Sequence, residues 1–251
     1  MFVQTGDNIG IGGFIITGTT SKHLIVRAIG PSLTEFGVNN PLADPVLQIR
    51  GSPSFGTISN DNWRDSQEAQ IKADGIPPTN DREAAIDATL PPGAYTALVS
   101  GKGNTTGVAM VEIYDLDTAA ASKLANLSTR AFAGGGGNLI IAGFILGNHG
   151  GQDKVVLRGL GPSLASFGVR NPMADPVLQL RDADGTLIMS DDDWQDNATQ
   201  SAQITAAGLA PSNPRESAIA ATLSPGLYTV LLSGLNDTTG VGLVEVYDRG
   251  Q

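Results

Sequence analysis

The chain repeats itself, and that fact constrains its fold more than any other. Val26-Arg27-Ala28-Ile29-Gly30-Pro31-Ser32-Leu33 returns as Leu157-Arg158-Gly159-Leu160-Gly161-Pro162-Ser163-Leu164, and 17 of the 27 positions from Leu24 to Arg50 are identical to those 131 residues further on. Pro92-Gly93-Ala94-Tyr95-Thr96 matches Pro225-Gly226-Leu227-Tyr228-Thr229, and Val111-Glu112-Ile113-Tyr114-Asp115 matches Val244-Glu245-Val246-Tyr247-Asp248. A repeat of this length is one folding unit used twice. The expected domains are 1–117 and 130–251, with 118–129 as a short Ala-rich linker, helical or extended. Repeat 1 opens abruptly at Met1-Phe2 and reads as N-terminally truncated.

Each repeat is long enough to bury its own core. Ile9 to Ile16, Leu24 to Ile29, Val46 to Arg50, Tyr95 to Val99 and Val108 to Tyr114 are short, β-branched and bounded by Gly, Pro or Asn, which is the pattern of strands. One short helix per repeat is expected, at Asp65 to Ala73 and at Asn197 to Ala207, each stopped by a glycine. Asp182-Ala183-Asp184-Gly185 reads as a hairpin turn. The fold class is therefore all-β: two tandem antiparallel β-sandwiches, jelly-roll-like, each with at most one short helix.

Composition narrows function. A net charge of −10 leaves nothing to neutralise phosphates, which argues against a nucleic-acid partner. No apolar run is long enough to span a membrane as a helix. Cysteine is absent, so disulfides, thiolate metal sites and cysteine nucleophiles are excluded together. The two histidines, His23 and His149, have no counterparts in the other repeat, and no triad or zinc constellation is evident. The glycine runs at Gly10 to Gly13 and Gly134 to Gly137 lack the Lys-Ser/Thr of a phosphate loop. No enzyme is expected.

The stretch Asp175 to Gly185, then Asp191-Asp192-Asp193-Trp194, then Leu223 to Thr229, resembles the bacterial pre-peptidase C-terminal domain. The resemblance covers about the last two-thirds of each repeat. It implies a jelly-roll-like sandwich appended to exported bacterial proteins, without chemistry of its own and with calcium or matrix polymers as ligands in some members. Repeat 1 departs from it, since Gly51-Ser52-Pro53-Ser54 stands where repeat 2 has Asp182 to Gly185. The whole repeat also looks like a module found in tandem in large secreted bacterial proteins.

Three sets of side chains are candidates for a role. Asp182, Asp184, Asp191, Asp192 and Asp193 lie on two segments that a hairpin would join, and calcium takes several oxygens from such loops. Turn formation explains the same residues. Trp63 and Trp194 follow polar turns and are the aromatics best placed for a ligand; the other paired aromatics are expected in the core. Arg27 and Glu112, with Arg158 and Glu245, sit inside apolar strands and are expected to form an internal ion pair in each repeat.

The expected role is a non-enzymatic structural or interaction unit of an extracellular or cell-surface protein, such as a stalk, fibre or sheath, with itself as partner through strand addition at an open sheet edge. The alternative is a calcium-assisted carbohydrate- or matrix-binding module. Met1 to Thr5 lack the basic stretch and apolar run of an export signal, so the chain is expected to be a mature portion of an exported protein.

Overall fold

The computed structural model describes residues 1–147 and 151–250, and it divides into two compact units, Met1–Ala125 and Asn126–Gln251. In unit 1 the strands are β1 (Phe2–Val3), β2 (Gly10–Gly18), β3 (Lys22–Ile29), β4 (Pro45–Arg50), β5 (Ile58–Asn60), β6 (Ala84–Leu90), β7 (Gly93–Gly101), β8 (Gly107–Val108) and β9 (Met110–Asp115). The helix α1 (Glu68–Ala73) lies between β5 and β6. One sheet has the order β6-β3-β9, the opposing strands run β2-β7-β4-β5, and β1 pairs with β8. The ladders are antiparallel throughout, with Arg27 opposite Glu112 and Phe14 opposite Tyr95.

Unit 2 follows the same plan. Its strands are β10 (Ser122–Ala133, in this unit from Asn126 onward), β11 (Ile140–Leu146), β12 (Asp153–Leu160), β13 (Pro176–Arg181), β14 (Leu187–Asp191), β15 (Ser217–Leu223), β16 (Gly226–Gly234) and β17 (Gly240–Gly250). The helix α2 (Ala198–Ala206) stands between β14 and β15. The sheets are β15-β12-β17-β10 and β11-β16-β13-β14. Each unit is thus an antiparallel, jelly-roll-like β-sandwich. The segment expected as a linker is strand from Ser122 onward, because Asn126 to Ala133 pair residue by residue with β17.

Alternation of side chains explains the cores. Leu24, Val26, Leu47, Ile49, Ala97 and Val99 point inward from facing sheets of unit 1 and are fully buried, as Leu157, Leu178, Leu180, Val230 and Leu232 are in unit 2. Phe14 stacks on Tyr95 with ring centroids 5.3 Å apart, and Phe144 on Tyr228 at 5.4 Å. Both tyrosine hydroxyls donate back to a carbonyl four residues earlier, Pro91 and Ser224, so the polar end of each ring is satisfied. The helices are shorter at their start than the sequence pattern suggests. In α2 the Asn197 side chain accepts from the Thr199 and Gln200 N–H groups, which fixes the N-terminus there.

Candidate functional site

The repeated Gly-Pro-Ser-Leu motif is built around a buried carboxylate. Glu83 is fully buried, and its Oε1 accepts from the Gly30 N–H at 3.1 Å, the Ser32 N–H at 3.0 Å and the Ser32 hydroxyl at 2.6 Å. Glu216 repeats every contact with Gly161 and Ser163 in unit 2. Four orphan donors would otherwise face an apolar interior, since Asn80 and Asn213 also send a backbone N–H to the second oxygen. Gly30 and Gly161 are required because a Cβ there would collide with the carbonyl of Leu42 or Met173.

The expected ion-pair partners lie side by side. Arg27 Nη2 is 2.5 Å from Glu112 Oε2, and Arg158 Nη2 is 2.5 Å from Glu245 Oε2. Each guanidinium also donates through Nε to the same carboxylate and through Nη1 to a backbone carbonyl, of Ile76 or Leu209. Tyr114 and Tyr247 close the group by donating to Glu112 and Glu245. Burial first, and then the neighbouring Glu245 charge, pushes the Tyr247 phenol up to about 12. Burial also leads the upward shift of Tyr114. Such networks rigidify a core and help to fix strand register.

The proposed calcium set does not converge. Asp182 and Asp184 sit at the turn end of the β13–β14 hairpin, whereas Asp191 pairs with Leu178 at its far end, four residues beyond Leu187. At about 3.3 Å per residue the two groups are ~13 Å apart along the strand. The hairpin separates them instead of joining them. Asp182 is spent on its own turn, accepting from the Asp184 and Thr186 N–H groups. Asp191 accepts from the Ala218 N–H at 2.8 Å, and burial pushes its carboxyl up to about 6. Asp192 accepts from the Asp193 N–H, and burial, then Asp175, raise Asp193 as well.

Comparison of the units is informative here. In unit 1 Lys102 Nζ lies 2.5 Å from Asp61, with Asp44 and Asp65 also acting on it. Leu235 takes the position of Lys102 in unit 2, as the matching backbone bonds of Lys102 to Asp44 and of Leu235 to Asp175 establish. The corresponding carboxylates, Asp175, Asp192 and Asp196, therefore have no lysine among them. Asp191, Asp192, Asp196 and Asn197 line an open depression.

The tryptophans are not platforms. Trp63 is 2% exposed and Trp194 8%, because α1 and α2 fold over them: Trp63 packs on Ile25, Ile71 and Ala85, and Trp194 on Val156, Ile204 and Ala218. Arg64 covers Trp63 further, its guanidinium 4.3 Å from the ring centroid. The exposed aromatics are instead Phe36 and Phe167, 80% and 83% exposed at equivalent positions. Their pairing between the repeats leads to the expectation that both lie in the core. Each ends a short 3₁₀ segment whose leucine, Leu33 or Leu164, is buried. Phe167 borders an open cleft of about 440 Å³ that also exposes Arg130, Leu243 and the Arg158–Glu245 pair.

Among the described residues, one group brings three metal-competent atoms within 4.8 Å: His23, Asp74 and Asp87. His23 Nε2 lies 3.0 and 3.1 Å from the Asp87 oxygens, and burial followed by the nearness of Asp87 raises the Asp74 carboxyl. Lys154, Ala207 and Ala220 replace all three in unit 2, so the group is peculiar to unit 1. His149 lies outside the described residues.

No family model matches the chain, and no curated protein matches it. Among solved structures it is similar to one titled "Crystal Structure of the STIV MCP", at 12% identity over 99% of this chain and 96% of that chain, with a TM-score of 0.27. A likeness that weak supports nothing about this chain's role.

Proposed function

We propose that this chain is a non-enzymatic structural and interaction unit of an extracellular or cell-surface protein, contributing to a stalk, fibre or sheath by associating with further copies of itself. One observation supports the reading above the others. The Ser–Glu and Arg–Glu groups kept in both units are consumed by internal bonds, whereas the aromatic side chain exposed in both is Phe36 and Phe167. An exposed phenylalanine repeated at a fixed interval suits packing against another protein. The serine beside the cleft does not suit catalysis: the Ser163 hydroxyl and the Gly161 and Ser163 N–H groups, which could attack or hold an oxyanion, all donate to Glu216. Light scattering and negative-stain microscopy over a concentration series test the proposal. Ordered oligomers that are lost in a Phe36→Ser, Phe167→Ser double variant support it; a strict monomer at every concentration sinks it.

The second reading is a calcium-assisted carbohydrate- or matrix-binding module. It draws on the exchange of Lys102 for Leu235, which leaves Asp175, Asp192, Asp193 and Asp196 of unit 2 without the ammonium that unit 1 supplies. Carboxylates so placed attract a hard divalent cation. Calorimetric titration with calcium, against a chelator-treated control, tests this reading. Heat of binding that survives in physiological salt supports it, and identical melting curves in calcium and chelator count against it.

A further inference from the structure

We propose that His23, Asp74 and Asp87 bind one divalent transition-metal ion of the zinc type, which clips β3, β6 and the end of α1 together in unit 1. The site does not depend on the assembly proposed above. Each ligand comes from a different element. On the β3–β6 ladder His23 stands opposite Thr89 and Ile25 opposite Asp87, so His23 and Asp87 are diagonal neighbours on one face of the sheet. The helix α1 packs over that same face through Ile71, which meets Ile25 and Ala85. Asp74 ends α1, its N–H donating to the Gln70 carbonyl at 3.0 Å, and Gly75 follows with a φ of 79°. Gln67 secures the junction: it accepts from the Asp87 N–H at 3.1 Å and donates to the Asp87 carbonyl at 2.9 Å. One ligand atom from each of His23, Asp74 and Asp87 lies within 4.8 Å of the others.

Charge and hydrogen bonding point to a cation. Gln70 donates to Asp74 Oδ1 at 3.2 Å, but Asp74 Oδ2 is closed off from solvent and meets no donor. A carboxylate oxygen so placed is costly unless a cation or proton reaches it. Lys72, on the same helix, is held by Glu68. The spacing suits a metal. Zinc bonds of about 2.0 Å set tetrahedral ligand atoms roughly 3.3 Å apart, and His23 Nε2 already lies 3.0 and 3.1 Å from the Asp87 oxygens. An imidazole nitrogen with two carboxylates selects zinc or its neighbours over calcium and magnesium, which prefer oxygen alone. His23 is 31% exposed, so water can reach the ion and take the fourth place. Unit 2 supplies the contrast. Lys154, Ala207 and Ala220 stand at the three positions, yet Gln200 still accepts from the Ala220 N–H at 2.7 Å. The clamp between helix and strand is common to both units, and the fold therefore does not itself require the His–Asp–Asp group.

The test uses the intact chain, stripped with chelator, and zinc as the probe. Only two histidines, His23 and His149, are present, so ring ¹⁵N resonances report the ligand directly. Zinc should shift the ring nitrogens of His23 saturably and leave those of His149 in place, and calcium at the same concentration should shift neither. Asp74→Asn and Asp87→Asn, which keep the side-chain shape, should each weaken zinc binding by calorimetry at least about tenfold, and Gln70→Ala by about tenfold through its loss of support to Asp74. In a Trp194→Phe background, zinc should raise the urea midpoint read by Trp63 in the parent and leave it unmoved in Asp87→Asn. A His23 ring that zinc does not shift overturns the proposal, and would mean that a proton shared by the two carboxylates meets their charge. So does zinc affinity retained in both Asn variants, or an equal response to calcium. Should a variant fail to fold, which the loss of its Trp63 transition would reveal, the His23 ring shift of the parent decides alone.

Discussion

The Ser32 hydroxyl donates to the fully buried Glu83 carboxylate at 2.6 Å, and Ser163 does the same to Glu216 in the second unit. This contact explains why Gly-Pro-Ser-Leu recurs unchanged in both repeats. The turn it forms has backbone donors that no strand can satisfy, and a carboxylate from the start of β6 or β15 satisfies them.

Removing that carboxylate should be costly. Glu83→Ala leaves the donors of Gly30, Ser32 and Asn80 buried and unpaired, and should destabilise unit 1 by about 3–5 kcal/mol. Ser32→Ala removes one donor only and should cost about 1 kcal/mol. Each unit carries one buried tryptophan, so urea unfolding followed by fluorescence in a Trp194→Phe background reads unit 1 alone. A loss below that of Ser32→Ala would show that the turn holds without its carboxylate.

The Arg158–Glu245 pair lends itself to a double-mutant cycle. Both side chains are mostly buried, at 17% and 12% exposure, and two N–H groups of Arg158 converge on the Glu245 Oε2. Arg158→Met or Glu245→Gln alone strands a partner, whereas the two together do not. The expected coupling is about 1–3 kcal/mol, and it should weaken only in part between low and high salt, because both side chains are mostly buried although the pair borders the cleft. A coupling that vanishes in salt would class the pair with surface bridges.

The β-sandwich fold was legible because strand alternation, glycine-bounded turns and the repeat all pointed the same way. The Arg27–Glu112 and Arg158–Glu245 contacts were legible for a related reason: a charge within an apolar strand must find a partner across the ladder. What could not be read was tertiary cover. Trp63 and Trp194 follow polar turns, and only the later return of α1 and α2 buries them. Asp182 and Asp191 are near in sequence, yet an extended hairpin carries them to opposite ends. Phe36 and Phe167 matched between repeats just as core residues do, and pattern alone could not tell a shared core from a shared surface.

Asp191 should make unit 2 sensitive to pH. Its folded value of about 6 lies above the ordinary 3.8, with burial the leading cause. The folded state thus holds this proton more tightly than the unfolded chain does. Stability from this group is full below about pH 4, falls as the pH rises towards about 6, and stays lowered above that. Unit 1 has solved the same position with Asn60, which accepts from the Ala85 N–H and donates to the Asn62 carbonyl, both at 3.0 Å. Asp191→Asn should therefore stabilise unit 2 at neutral pH by about 1 kcal/mol, after allowance for its partial exposure, and by nothing near pH ~3.5. Urea unfolding between these limits checks it; a gain independent of pH would place the effect elsewhere.

The exchange of Lys102 for Leu235 can be reversed. Leu235→Lys should bring an ammonium among Asp175, Asp192 and Asp196, as Lys102 meets Asp61 in unit 1. The variant should melt higher than the parent in dilute buffer, with the gain shrinking as salt screens the exposed charges. It also separates the two readings of the acidic turn. If calcium occupies that turn, the parent should be stabilised by calcium and Leu235→Lys should not be, since the lysine takes the cation's place. If the carboxylates serve only as turn formers, calcium should leave both proteins unchanged while the lysine still raises the melting point. Differential scanning calorimetry of the two proteins, in calcium and in chelator at two salt concentrations, distinguishes these outcomes. A lysine that lowers the melting point in all four buffers would mean that Leu235 is held by packing, and that charge plays no part in the difference between the units.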